Sequence, residues 1–117
     1  MARYFIQNEN PPKEKEEICP VTYTQNLTSG RWKLMILWYL SKGTKRFNEL
    51  HRSLSGISKG ILTRQLRELE EDEMVHREVY KEVPPKVEYS LTPKGVSFIP
   101  ILDMMGEWGK KHLKSDQ

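Results

Sequence analysis

Residues 58 to 71 read S-K-G-I-L-T-R-Q-L-R-E-L-E-E. On a helix of about 100° per residue, Leu66 and Leu69 lie within roughly 40° of Leu62. Gly60, Thr63, Arg64, Arg67 and Glu71 lie roughly 100° to 180° away, on the opposite face. A stripe holding two guanidinium groups and a hydroxyl has the chemistry to enter the major groove of a DNA duplex, where Arg pairs with guanine O6 and N7. The plainer alternative is a solvated face on which Arg64 pairs with Glu68 and Arg67 with Glu71, each four residues on. The other reactive side chain is Cys19, which precedes Pro20. At a helix start the dipole favours its thiolate. Glu14, Glu16 and Glu17 oppose that, and a free cysteine is also commonly a small buried apolar residue.

Several chemistries are excluded at once. A single cysteine cannot make an intrachain disulfide or a multi-cysteine zinc site. His51, His76 and His112 lack metal-ligand spacing, so no metal is expected. There is no glycine-rich phosphate loop and no nucleophile elbow, so no cofactor is expected. No basic partner stands beside Cys19 in sequence, which argues against a thiol enzyme. The longest nearly unbroken apolar run, Leu34 to Leu40, is far too short to span a bilayer. The N-terminus, with Arg3, Asn8 and Glu9, does not read as a signal peptide. The expectation is a small soluble protein of the cytoplasm, neither an enzyme nor membrane-bound.

Charge is concentrated. The 117 residues hold 19 Lys+Arg and 16 Asp+Glu, a formal net charge of +3. Residues 31 to 67 contain Arg31, Lys33, Lys42, Lys45, Arg46, Arg52, Lys59, Arg64 and Arg67 against Glu49 alone. Five acids follow in residues 68 to 73, and the rest of the chain is nearly balanced. A strongly basic segment in a near-neutral chain is the footprint of a polyanion-binding surface.

The elements that must position these residues follow from periodicity. Residues 1 to 17 are polar, with Pro11-Pro12, and read as a flexible arm in which Tyr4, Phe5 and Ile6 either dock on a partner or stay disordered. Pro20 opens a short helix to about Thr28. Residues 31 to 41 form a second helix, apolar nearly all round and therefore buried. Phe47, Leu50 and Leu54 mark a third, a tight turn follows at Ser55-Gly56-Ile57, and Ser58 caps a fourth running to about Asp72. Two short helices joined through such a turn make a helix-turn-helix. Val75 to Tyr80 and Val87 to Leu91 alternate as strands, with Pro84-Pro85 in the hairpin tip. Thr92-Pro93 opens the last helix, which Pro100 kinks or breaks. This order predicts a mainly α fold with a small β-hairpin, a winged helix-turn-helix spanning residues 18 to 112, with 113 to 117 as a tail. Hydrophobic residues are 37% of the chain, and residues 96 to 108 are apolar on more than one face. With Trp32, Trp38 and Tyr39 added, a domain this small is expected to cover that surface by forming a homodimer, the alternative being a monomer whose last helix closes its core.

The segments C-P-V (19 to 21), G-R-W-K-L-M-I-L (30 to 37), K-R-F-N-E-L (45 to 50), G-I-S (56 to 58), L-T-R-Q-L-R-E-L-E (62 to 70), V-P-P-K-V-E-Y-S-L-T-P-K-G (83 to 95) and G-E-W-G (106 to 109), taken in order, resemble the HxlR family of bacterial transcriptional regulators. The resemblance implies a homodimeric winged helix-turn-helix protein that binds DNA. It also implies, for some members, a response to oxidants or electrophiles through a cysteine near the N-terminus. Where the family often carries a polar or basic residue third in the recognition helix, this chain has Gly60.

In a helix-turn-helix the N-terminal part of the second helix reads the bases. Ser58, Lys59, Thr63 and Arg64 are therefore expected at base edges or nearby phosphates, and Arg67 at a phosphate. Lys45 and Arg46 before the first helix of the motif, and Lys81 and Lys86 on the wing, are expected on the backbone, where contacts set register without reading sequence. Cys19 is the one candidate sensor that the resemblance implies; without a second cysteine, reversible oxidation there requires an intersubunit disulfide or a small-molecule thiol cap. Double-stranded DNA and a second copy are the expected partners, with no effector identified. The competing reading is a winged-helix module that binds protein and not DNA.

Overall fold

The computed structural model describes residues 18–115. The expected arm over residues 1 to 17 and the last two residues of the tail lie outside the described residues. Pro20–Thr28 is α1 and Lys33–Leu40 is α2. α2 buries Ile36, Leu37 and Leu40, as its nearly uniform hydrophobicity demands. Phe47–Ser53 (α3) and Lys59–Glu71 (α4) lay Leu50 and then Leu62, Leu66 and Leu69 against it. Between them Gly56 turns the chain at φ +92°, and Ile57 is buried as a plug under the turn.

The sheet has one strand more than the sequence pattern predicts. Val75–Tyr80 (β2) and Lys86–Leu91 (β3) form the expected hairpin, but Lys45–Arg46 (β1) pairs on the other side of β3, giving the order β1-β3-β2. All pairs are antiparallel, with Lys45 opposite Tyr89, and Tyr89 opposite Arg77. Paired residues share a sheet face. Lys45, Tyr89 and Arg77 therefore form one row across the sheet. A strand of two residues has no alternation to read, which is why it escapes a periodicity search.

Pro93–Val96 (α5) and Ile99–Ser115 (α6) replace the single expected last helix. The break falls at Ser97-Phe98. Pro100 then sits in the first turn of α6, where its missing N–H removes no helical bond. Thr92 caps α5 by accepting from the Gly95 amide at 3.0 Å.

α4 is fixed at both ends and tethered through its last turn. Ser58 Oγ accepts from the Ile61 amide at 3.1 Å at its start. At its end Glu73 takes a left-handed φ of +63°, the Glu73 amide donates to Glu70 O at 3.0 Å and the Met74 amide to Leu69 O at 2.9 Å. This is a Schellman closure made without glycine, with Leu69 and Met74 as its buried hydrophobic pair. Lys94 Nζ donates to Asp72 O at 3.0 Å and the Thr92 hydroxyl donates to Glu73 O, so carbonyls at the negative end of the helix meet an ammonium and a hydroxyl. One turn before its end, Lys33 of α2 reaches Glu68 of α4 at 2.6 Å, with the lysine side chain 1% exposed and the glutamate 14%.

Candidate nucleic-acid interface

α4 turns its polar stripe outward. Lys59, Gly60, Arg64 and Arg67 are exposed, and Thr63 is half-buried. Thr63 Oγ1 donates to Lys59 O at 2.8 Å, which fixes the side chain against the helix. Ser58 is exposed, and its capping role uses a lone pair, leaving the hydroxyl proton to donate outward. Among the described residues neither Arg64 nor Arg67 forms an ion pair. Glu68, the acid spaced to neutralise Arg64, is instead bound by Lys33.

That pairing also revises the basic segment. Lys33 counts toward its charge but is buried and neutralised, so it presents nothing to a polyanion. Arg31 lies 4.8 Å from the centre of the Trp32 ring and Lys42 3.8 Å from that of Trp38, each cation spread on an aromatic face. Among the described residues, the cations left without an aromatic or acidic side-chain partner in this segment are Lys45, Arg46, Arg52, Lys59, Arg64 and Arg67. Lys45 is half-buried in β1, and Arg46 is exposed at the start of α3, where its amide donates to Glu49 Oε1 at 2.7 Å. Glu49 is thereby engaged at the positive end of α3.

On the wing, Lys81 is exposed at the tip. Lys86 lies 4.6 Å from the Tyr80 ring centre and 3.8 Å from Glu88. The Glu88 carboxylate beside it accepts from the Tyr80 hydroxyl and pushes that group above its ordinary value of 10.0. Arg77 of β2 is exposed and lines a cleft of about 220 Å³ together with Thr63, Leu66, Arg67, Glu70 and Tyr89.

Cys19 is not brought together with these groups. It stands exposed at the N-cap of α1. No side-chain cap bond closes the helix there, yet the amides of Thr22 and Val21 face the sulfur and pull the thiol below its ordinary value of 9.0. Burial opposes this weakly and the Thr22 hydroxyl assists it. Glu14, Glu16 and Glu17 lie outside the described residues. The histidines serve locally: His51 Nε2 is 3.0 Å from Ile57 O, His76 pairs with Glu78, and His112 stacks on Trp108. Among the described residues no helix is long and apolar enough to cross a membrane.

A family model described as HxlR-like helix-turn-helix matches residues 27–117. The chain belongs to the HxlR-like helix-turn-helix family. Its HxlR-like relatives include the HTH-type transcriptional regulator YdeP of Bacillus subtilis (strain 168), 50% identical over 96 residues that cover 82% of this chain and 75% of YdeP. An HTH-type transcriptional regulator of Methanothermobacter thermautotrophicus is 48% identical over 99 residues, covering 85% and 76%. Among solved structures, the redox regulator HypR in its oxidised form superposes with a TM-score of 0.76 at 50% identity, covering 80% of this chain and 96% of that one. The HTH-type regulator ytcD gives 0.78 at 45% identity, covering 83% and 99%. This HxlR-like protein is a DNA-binding transcriptional regulator with a winged helix fold.

Sequence reasoning missed Lys33, Arg77 and the Thr92–Gly95 clamp. Arg77 carried a signal, since it alternates in register with the buried Val75 of the same strand. The T-P-K-G motif was visible, but its purpose rests on backbone atoms of the turn after α4.

Proposed function

We propose that this cytoplasmic regulator binds operator DNA as a two-fold dimer, with Ser58, Lys59, Thr63 and Arg64 at base edges or adjacent phosphates. Arg67, Lys45, Arg46, Lys81 and Lys86 hold the backbone. The observation that carries this reading is the outward stripe of α4, whose two arginines are free of acids while the acid spaced to cancel one of them is held inside. Gly60 leaves a gap in the stripe where the helix backbone can approach the duplex. A protein-only role fits poorly with a basic ridge flanked by a wing that also ends in lysine.

Support for the dimer comes from α6. Met104, Trp108 and Leu113 are 71%, 67% and 60% exposed, and Val21 of α1 is 75% exposed. Apolar surface of this kind marks an interaction site. A two-fold pair would set its reading helices about 34 Å apart, one turn of DNA, and favour an inverted repeat.

Cys19 is the proposed redox or electrophile sensor. Its support is the lowered thiol at an exposed helix start and the likeness to HypR, which is known in oxidised and reduced forms. The deciding experiment titrates the protein against DNA flanking its own gene and against random duplex, with and without a thiol oxidant. Specific binding at least about 10³-fold tighter is expected. Equal affinity for the two duplexes refutes the operator reading.

A further inference from the structure

We propose that Arg77 of β2 and Arg67 of α4 form a two-guanidinium seat for one phosphodiester of the duplex, and that this seat locks the wing to the reading helix. The inference rests on the DNA-binding reading above. Both arginines line the same 220 Å³ cleft, together with Thr63, Glu70 and the buried Leu66 and Tyr89. Both are exposed, and among the described residues neither forms an ion pair. Two guanidinium groups facing one cleft repel each other, and the single Glu70 carboxylate there can offset only one of them. A phosphodiester carries two non-bridging oxygens that share its negative charge, acceptors that suit the donors of a guanidinium fork.

The location selects the source of the anion. Thr63 and Arg67 belong to the face of α4 that meets DNA, so the cleft opens on the docked duplex and not on a remote surface. Arg77 lies in the same row of the sheet as Tyr89 and Lys45. The row therefore continues the cationic stripe of α4 across the sheet toward the start of α3. Tyr89 is 8% exposed and gives the row a rigid centre. Glu70 is the one acid in the cleft. With one carboxylate against two arginines the seat keeps a single net positive charge, which matches a diester carrying one negative charge.

The test uses Arg77→Ala, Arg77→Lys and Glu70→Gln in the full chain, with a random-sequence duplex of about three helical turns. The contact reads no sequence, so the operator need not be known. Arg77→Ala is expected to weaken duplex binding about tenfold. The log–log salt slope should fall by about 0.9 for each subunit bound. Arg77→Lys should restore the slope but only part of the affinity, since an ammonium keeps the charge and loses the fork. Glu70→Gln should tighten binding. An Arg77→Ala protein with wild-type affinity and slope overturns the seat while leaving DNA binding intact. A wild-type protein showing no salt-dependent duplex binding overturns the DNA reading itself, and the seat with it. Inorganic phosphate should displace the duplex through this cleft only if the two share it; phosphate that binds the wild-type protein, fails to bind Arg77→Ala and leaves duplex affinity unchanged would reassign the cleft to a free anion and refute the diester.

Discussion

Replacing Glu68 with leucine should destabilise the protein far more than a surface ion pair would. The Lys33 ammonium is 2.6 Å from Glu68, and its side chain is 1% exposed. An exposed pair contributes about 0–1 kcal/mol. Here the carboxylate is what makes the buried ammonium tolerable, and removing one member of a buried pair costs about 3–5 kcal/mol. With a urea slope near 2 kcal/mol per molar, that moves the unfolding midpoint down by about 2 M. Total stability of a domain this size is about 5–15 kcal/mol, so the single variant is expected at the edge of folding. Lys33→Met should cost less, because Glu68 is 14% exposed and makes a further interaction. The double variant Lys33→Met/Glu68→Leu removes both charges and should return to within about 1 kcal/mol of wild type. Urea denaturation followed by tryptophan fluorescence measures all four proteins and closes the cycle. A Glu68→Leu loss below about 1 kcal/mol would refute the buried-charge reasoning. So would a double variant as unstable as the sum of the singles.

Four further outcomes are expected. Arg64→Ala should cost about 1–3 kcal/mol on the specific site and relax its sequence preference, measured by anisotropy; equal losses on specific and random duplex would reassign Arg64 to a phosphate. Because the amides of Thr22 and Val21 favour the thiolate, Cys19 should alkylate with a pH midpoint below that of the denatured chain, and Cys19→Ser should abolish any oxidant or electrophile response with resting DNA binding nearly intact; a midpoint no lower than in the denatured chain, or a response surviving in the serine variant, removes the sensor role. Gly95→Ala should destabilise by about 1–3 kcal/mol on thermal unfolding, since a Cβ there collides with the Met74 carbonyl and crowds Leu91; an unchanged melting curve would show that the turn gives way. Trp108→Glu, at a site 67% exposed, should leave stability unchanged but shift sedimentation toward the monomer; an unaltered sedimentation profile would place the subunit contact elsewhere.

The parts of the fold legible in the sequence are those set by neighbours close along the chain. Leu62, Leu66 and Leu69 announce the buried side of α4 by spacing alone, and Ser58 announces its cap. The hairpin alternates as its register requires. What stayed hidden depends on atoms distant in sequence. Lys33 reads as one more cation of a basic segment until Glu68, 35 residues later, is seen to hold it. The spacing of Arg64 and Glu68 suggests a surface pair, but the stronger claim on Glu68 comes from the interior. The need for glycine at position 95 is imposed by the Met74 carbonyl, which no local pattern encodes. Strand alternation puts Arg77 on a face; only the packing of the sheet beside α4 says that Arg67 shares its cleft.

The Schellman closure at Glu73, the cap at Ser58 and the Lys33–Glu68 tether together hold both ends of α4. A rod clamped at both tips and tethered near its far end resists fraying when something tugs on a neighbouring element. It translates or tilts as one piece, carrying its arginines along unchanged. A signal that reaches such a helix therefore has to move it whole, and its effect is read in where the arginines stand and not in how they are spaced.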